Sequence, residues 1–170
     1  MKRLFSCMAL ILVFALNSCK KDGIAYGGDY GRSNIAWQEF KSTSGNSYSY
    51  QVVTSSWTGY NTETTITVKQ GKITERSYVA KAHDSTGQII VLQEWKEDGT
   101  QLGTHDNGAA LLTMDEVYAK AKDDWLLKRD NANNYFEAKN NGMISLCGYG
   151  MNGCQDDCFN GIKIKYIRGL

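Results

Sequence analysis

Short runs in which apolar and polar residues alternate recur along this chain, and their period limits the fold more than any other feature. Tyr48, Tyr50 and Val52 alternate with Ser49 and Gln51, Thr64, Ile66 and Val68 repeat the period, and Ile162, Ile164 and Tyr166 alternate with Lys163 and Lys165. Successive side chains of a strand point to opposite faces, so each run predicts a strand with one buried and one wetted face. Gln70-Gly71-Lys72 separates the second run from a further strand over residues 73–81, which predicts a hairpin. Asn141-Gly142 predicts a tight reversed turn between residues 135–139 and 143–149. Residues 88–95 (QIIVLQEW) hold four consecutive apolar side chains, the pattern of a strand covered on both faces, which periodicity alone does not separate from a buried helix turn.

Two segments change to a helical period. In residues 33–41, Ala36, Trp37 and Phe40 follow an N-cap candidate at Ser33, giving a short amphipathic helix. Thr113 and Glu116 form the capping-box pattern, with Asp115 adding negative charge near the positive end of the helix dipole. Met114, Val117, Tyr118, Ala121 and Trp125 then share one face, predicting a helix over residues 114–128. Repeated short strands with two helices imply an α+β domain: an antiparallel sheet of about five to seven strands with both helices packed on one face. No linker or repeat divides residues 32–170, which are read as a single domain.

The first eighteen residues stand apart from that domain. Lys2 and Arg3 precede an apolar stretch over residues 4–16, too short to cross a bilayer and suited to a secretory signal peptide. Leu16-Asn17-Ser18-Cys19 resembles the lipobox of bacterial lipoproteins, which implies cleavage before Cys19 and acylation of its sulfur. Two or more acyl chains anchor firmly where one binds marginally. Lys20 stands where an inner-membrane lipoprotein tends to carry aspartate, so the resemblance implies the outer membrane. The Cys-Lys-Lys-Asp start is similar to Bacteroidetes-type lipoproteins, some of which face outward, and the domain is expected in the periplasm or at the surface. Residues 19–31, glycine-rich and without period, read as a flexible tether. With Lys2 and Arg3 removed, 17 basic residues face 18 acidic ones, a formal charge of −1. That balance lacks the basic footprint of a nucleic-acid binder.

Candidate chemistry is sparse. With Cys7 in the leader and Cys19 acylated, Cys147, Cys154 and Cys158 are left in an oxidising compartment, where one bridge and one leftover thiol are expected. Of the three pairings, Cys147 with Cys158 is favoured because it would tie together the strands flanking the loop. The Cys154-x3-Cys158 spacing is half of a zinc ribbon, and a loop staple is the better reading. Asp156, Asp157 and Asn160 crowd hard oxygen donors that calcium could use, against the commoner role of an acidic, solvated turn. His83 and His105 read as loop residues, with no nucleophile elbow to make a triad. Trp57 and Tyr60 flank Gly59 and could stack on a sugar or a peptide, although such aromatics more often pack over a sheet end. No cofactor is expected.

Residues 48–167 resemble a family of small bacterial lipoprotein domains of unknown function. The likeness rests on the Gly71-Lys72 turn, the helix start over residues 112–118, Tyr135-Phe136 leading through Asn141-Gly142 to Cys147-Gly148-Tyr149, and the unusual segment over residues 153–161. It implies the order of the elements and a structural role for the C-terminal loop, and no catalytic residue. The expectation is a lipid-anchored envelope protein acting as a binding or structural module, with the membrane and an envelope protein or glycan as partners. The alternative is an envelope hydrolase whose site assembles only in the fold.

Overall fold

The computed structural model describes residues 23–155 and 158–170. Helix α1 (Gly27–Thr43) leads into four strands, β1 (Tyr48–Ser55), β2 (Asn61–Lys69), β3 (Lys72–His83) and β4 (Ile89–Asp98). A loop then reaches helix α2 (Met114–Lys120), which continues through a π-helical turn (Ala121–Trp125). Strands β5 (Ala132–Glu137), β6 (Leu146–Met151) and β7 (Phe159–Gly169) complete the chain. All strand pairs are antiparallel, in one seven-stranded sheet of order β4-β3-β2-β1-β7-β6-β5. The architecture is α+β with the sheet dominant.

The alternation fixes the register. Tyr48 pairs with Val68 and Tyr50 with Ile66, and all four side chains are fully buried. Gln70 and Gly71 have φ of +50° and +77°, and Asn141 and Gly142 +51° and +85°, the paired left-handed geometry that closes two-residue hairpins. The capping box is complete: Thr113 Oγ1 accepts from the Glu116 amide while the Glu116 carboxylate accepts from the Thr113 amide at 2.7 Å. The predicted face of α2, from Met114 to Trp125, is buried.

Four local expectations are corrected. Helix α1 starts six residues before Ser33, which is not its cap but a buried residue bonded to the Tyr118 hydroxyl at 2.7 Å. Residues 24–31, read as tether, therefore belong to the fold. Ile24 is buried in a bridge to Leu127, and the Ala25 amide donates to the Leu126 carbonyl at 2.7 Å. Gly27, Gly28 and Gly31 weaken the local helical signal, and tertiary contacts override it. The α2 helix stops at Lys120, and the π-helical turn inserts an extra residue so that Trp125 and Leu126 both turn inward. Strand β4 is the opposite of covered: it lies at the sheet edge, and Ile89, Ile90, Val91 and Leu92 are 41–68% exposed. An apolar run alone cannot separate a central strand from an edge one. The fourth correction, to the disulfide, is described with the site.

Candidate functional site

The end of the sheet where β1 turns into β2 carries a concave feature. Two cavities, of about 530 and 400 Å³, share the lining residues Val52, Thr54, Tyr60 and Gly161, so they form one groove. One arm runs toward Phe159 and Lys163, and the other passes Tyr78 toward Lys120 and Trp125.

Glycine makes the groove's floor low. Gly148 pairs with Gly161 across β6 and β7. A Cβ on Gly148 would lie 2.5 Å from the Phe159 ring, and one on Gly161 would lie 2.8 Å from it. The ring covers the glycine pair in place of side chains, and neither position admits another residue without displacing backbone. Above this floor, the Tyr60 and Tyr78 hydroxyls lie 3.2 Å apart. Burial, with Tyr60 beside it, pushes the Tyr78 phenol up to about 12, so it stays a neutral hydrogen-bonding group. The Lys120 ammonium sits 5.4 Å from the centre of the Trp125 ring, a cation over an aromatic face.

The far wall is a loop fastened by a buried ion pair. Glu97 is fully buried and accepts from Arg76 Nε and Nη2, each at 3.0 Å. It also accepts the amides of Gly103 at 2.8 Å and His105 at 2.6 Å, and its Oε1 lies 2.8 Å from His105 Nδ1. Arg76, the strongest influence, together with these donors holds the Glu97 carboxyl far below the usual carboxylate range. Arg76 further donates to the carbonyls of His105 and Ala109. The His105 ring stacks on Trp95 at 4.3 Å, Trp95 stacks on Tyr78 at 5.2 Å, and Gly108 (φ +94°) lets the loop pass close to both rings of that second stack. Thr64 then accepts the Ala109 amide at 3.0 Å, which sets Ala109, Ala110 and Leu112 as the wall.

The residues singled out in the sequence are dispersed. Tyr60 lines both cavities, while Trp57, 82% exposed at the hairpin tip, lines neither. The disulfide joins Cys154 to Cys158 rather than Cys147 to Cys158. The reason is that Cys147, on β6, faces the core, and its burial pushes the thiol up to about 12, which suppresses nucleophilic thiolate at neutral pH. Asn160 is exposed on β7, whereas Asp156, Asp157 and Cys19 lie outside the described residues. Among the described residues no group of three or more His, Cys, Asp or Glu side chains is placed to hold a metal ion. No described helix is long and apolar enough to cross a membrane. Tyr78, Phe159 and Gly161 are not site candidates in the sequence, and Trp125 is one there only as a core-facing helix residue; Gly148, a glycine inside a predicted strand, is the one readable sign of close approach.

Set against models of protein families, curated proteins and solved structures, the chain finds no match in any of the three.

Proposed function

We propose that this chain is a lipid-anchored binding module of a bacterial cell envelope, carried on Cys19 after removal of residues 1–18 and directed to the outer membrane. In this reading both helices cover one face of the sheet, and the groove at the sheet's end receives a ligand with an extended apolar face, an envelope peptide or glycan. The support is the joined pair of cavities: their volumes fall in the range of ligand sites. Aromatic rings and threonine hydroxyls line them, with one cation at each arm.

The hydrolase alternative would draw on His105 beside Glu97. That carboxylate is already taken up by Arg76 and two amides, and His105 lines neither arm of the groove. The geometry favours fastening over catalysis.

Fluorescence of a neutral naphthylamine probe tests the groove. Enhancement should saturate in the wild-type chain, persist in Trp57→Ala with unchanged melting within about 0.5 kcal/mol, and fall several-fold in Tyr60→Ala. Equal enhancement in Tyr60→Ala and wild type would remove the groove's support. The anchor is tested separately by metabolic labelling with a fatty acid, which Cys19→Ala should abolish; label retained in that variant would place the acyl group elsewhere.

A further inference from the structure

A second concavity adjoins the groove's first arm, sharing Val53, Thr54, Ser55 and Lys163 with it, and its remaining lining is of different chemistry. It holds about 350 Å³, and its polar lining includes Glu63, Lys81, His83, Lys163, Lys165 and Ser55. Glu63 accepts from Lys81 at 2.9 Å through one carboxylate oxygen and from Lys165 at 3.0 Å through the other. These two ammonium groups, Lys81 foremost, hold the Glu63 carboxyl below its ordinary range. Lys163 makes no ion pair among the described residues. Three lysines and one carboxylate therefore line the cleft, a formal local charge of +2 in a chain whose formal charge is only +1.

The backbone is bent where the cleft needs it. The β1–β7 register shifts between Gln51 and Val52, so that Lys165 is the unpaired residue opposite that step, and the β3–β4 register shifts between Ala80 and Lys81. Bulges re-aim side chains: the first leaves Lys165 as its extra residue, and the second places its extra residue, Leu92, across from the step into Lys81. Glu63 holds both ammoniums in place without neutralising the set. Lysine presents a compact point charge, suited to the tetrahedral oxygens of a phosphoryl group, whereas planar carboxylates are matched best by the arginine fork, which the cleft lacks.

We propose that this cleft is a binding site for a phosphate monoester dianion, held by Lys163 and Lys165 with Lys81 behind them. The same dianion can be a free phosphate ester or the head group of a lipid, and the test separates the two. Backbone amide spectra of the folded chain are titrated with glycerol phosphate at constant ionic strength, with sodium chloride as the blank. In parallel, sedimentation is measured with phosphatidylcholine vesicles with and without phosphatidic acid. Saturable shifts confined to residues 53–55, 61–63, 81–83 and 163–165 are expected, with affinity about five-fold or more weaker in Lys163→Met, unchanged in Lys139→Met and tighter in Glu63→Gln. Soluble binding alone assigns a free ester; co-sedimentation that requires phosphatidic acid and Lys163 assigns the lipid. Shifts spread over the surface, shifts matched by chloride, or equal affinity in Lys163→Met would overturn the site. Tyr60→Ala should leave this binding intact, so its outcome is distinguishable from that of the groove.

Discussion

Arg76→Met should lower the melting temperature by roughly 10 °C, and the double variant Arg76→Met, Glu97→Leu should regain at least half of that loss. Glu97 has no exposed surface, and in the single variant its charge loses both guanidinium bonds while remaining buried. Removing both charges removes that conflict, because a buried ion pair gains little over well-packed apolar residues once desolvation is counted. Recovery stays incomplete because the Gly103 and His105 amides lose their acceptor. Calorimetry of the two variants decides the matter: equal melting in both would mean that the pair does not fasten the loop. The pH dependence has a definite sign. The folded carboxyl is depressed below its ordinary value of 4.5, so its stabilisation is fully present above that value and is lost as pH falls toward the folded one. Wild-type melting should therefore fall more steeply below about pH 4.5 than that of the double variant.

The second large effect is expected at Trp37. The side chain is fully buried in α1, lies edge-on to Tyr48 at 5.1 Å, stacks on Tyr118 at 6.2 Å, and donates its indole N–H to Asp115 at 2.8 Å. Asp115 also receives Lys41 at 2.6 Å, so the first turn of α2 clasps two points on α1. Trp37→Ala should cost about 3–5 kcal/mol through lost burial and the cavity left behind. Trp37→Phe keeps an aromatic ring and gives up the indole bond, and should cost about 1–2 kcal/mol. Denaturant unfolding reads both. Unchanged stability in Trp37→Ala would return α1 to the status of a detachable leader.

These two residues also show what could be seen in the sequence and what could not. Trp37 was legible because helical spacing placed it on an apolar face with Phe40, and the capping box marked α2 because Thr113 and Glu116 satisfy each other locally. Strand pairing followed from alternation and two left-handed turns. The Glu97 node was illegible: one acid among 18 gives no sign that a partner 21 residues away and a loop beyond it will close around it. The groove was half legible. Tyr60 is in view as an aromatic beside a glycine and Trp125 as part of the apolar face of α2, but that both line one groove depends on how the helix packs against the sheet, which no periodicity announces. The edge position of β4 depends on sheet order, a global property that four apolar residues in a row do not encode.

The bridge between Ile24 and Leu127 sets a length scale for attachment. If the acyl chains are carried by Cys19, five residue steps separate the anchor from a side chain locked into the core, at most roughly 18 Å of extended chain. A thirteen-residue leash would let the domain sample a hemisphere of positions. On the proposed anchor, a five-step one would hold α1 near the head groups, restrict rotation, and raise the effective concentration of anything in the bilayer surface near this end of the molecule.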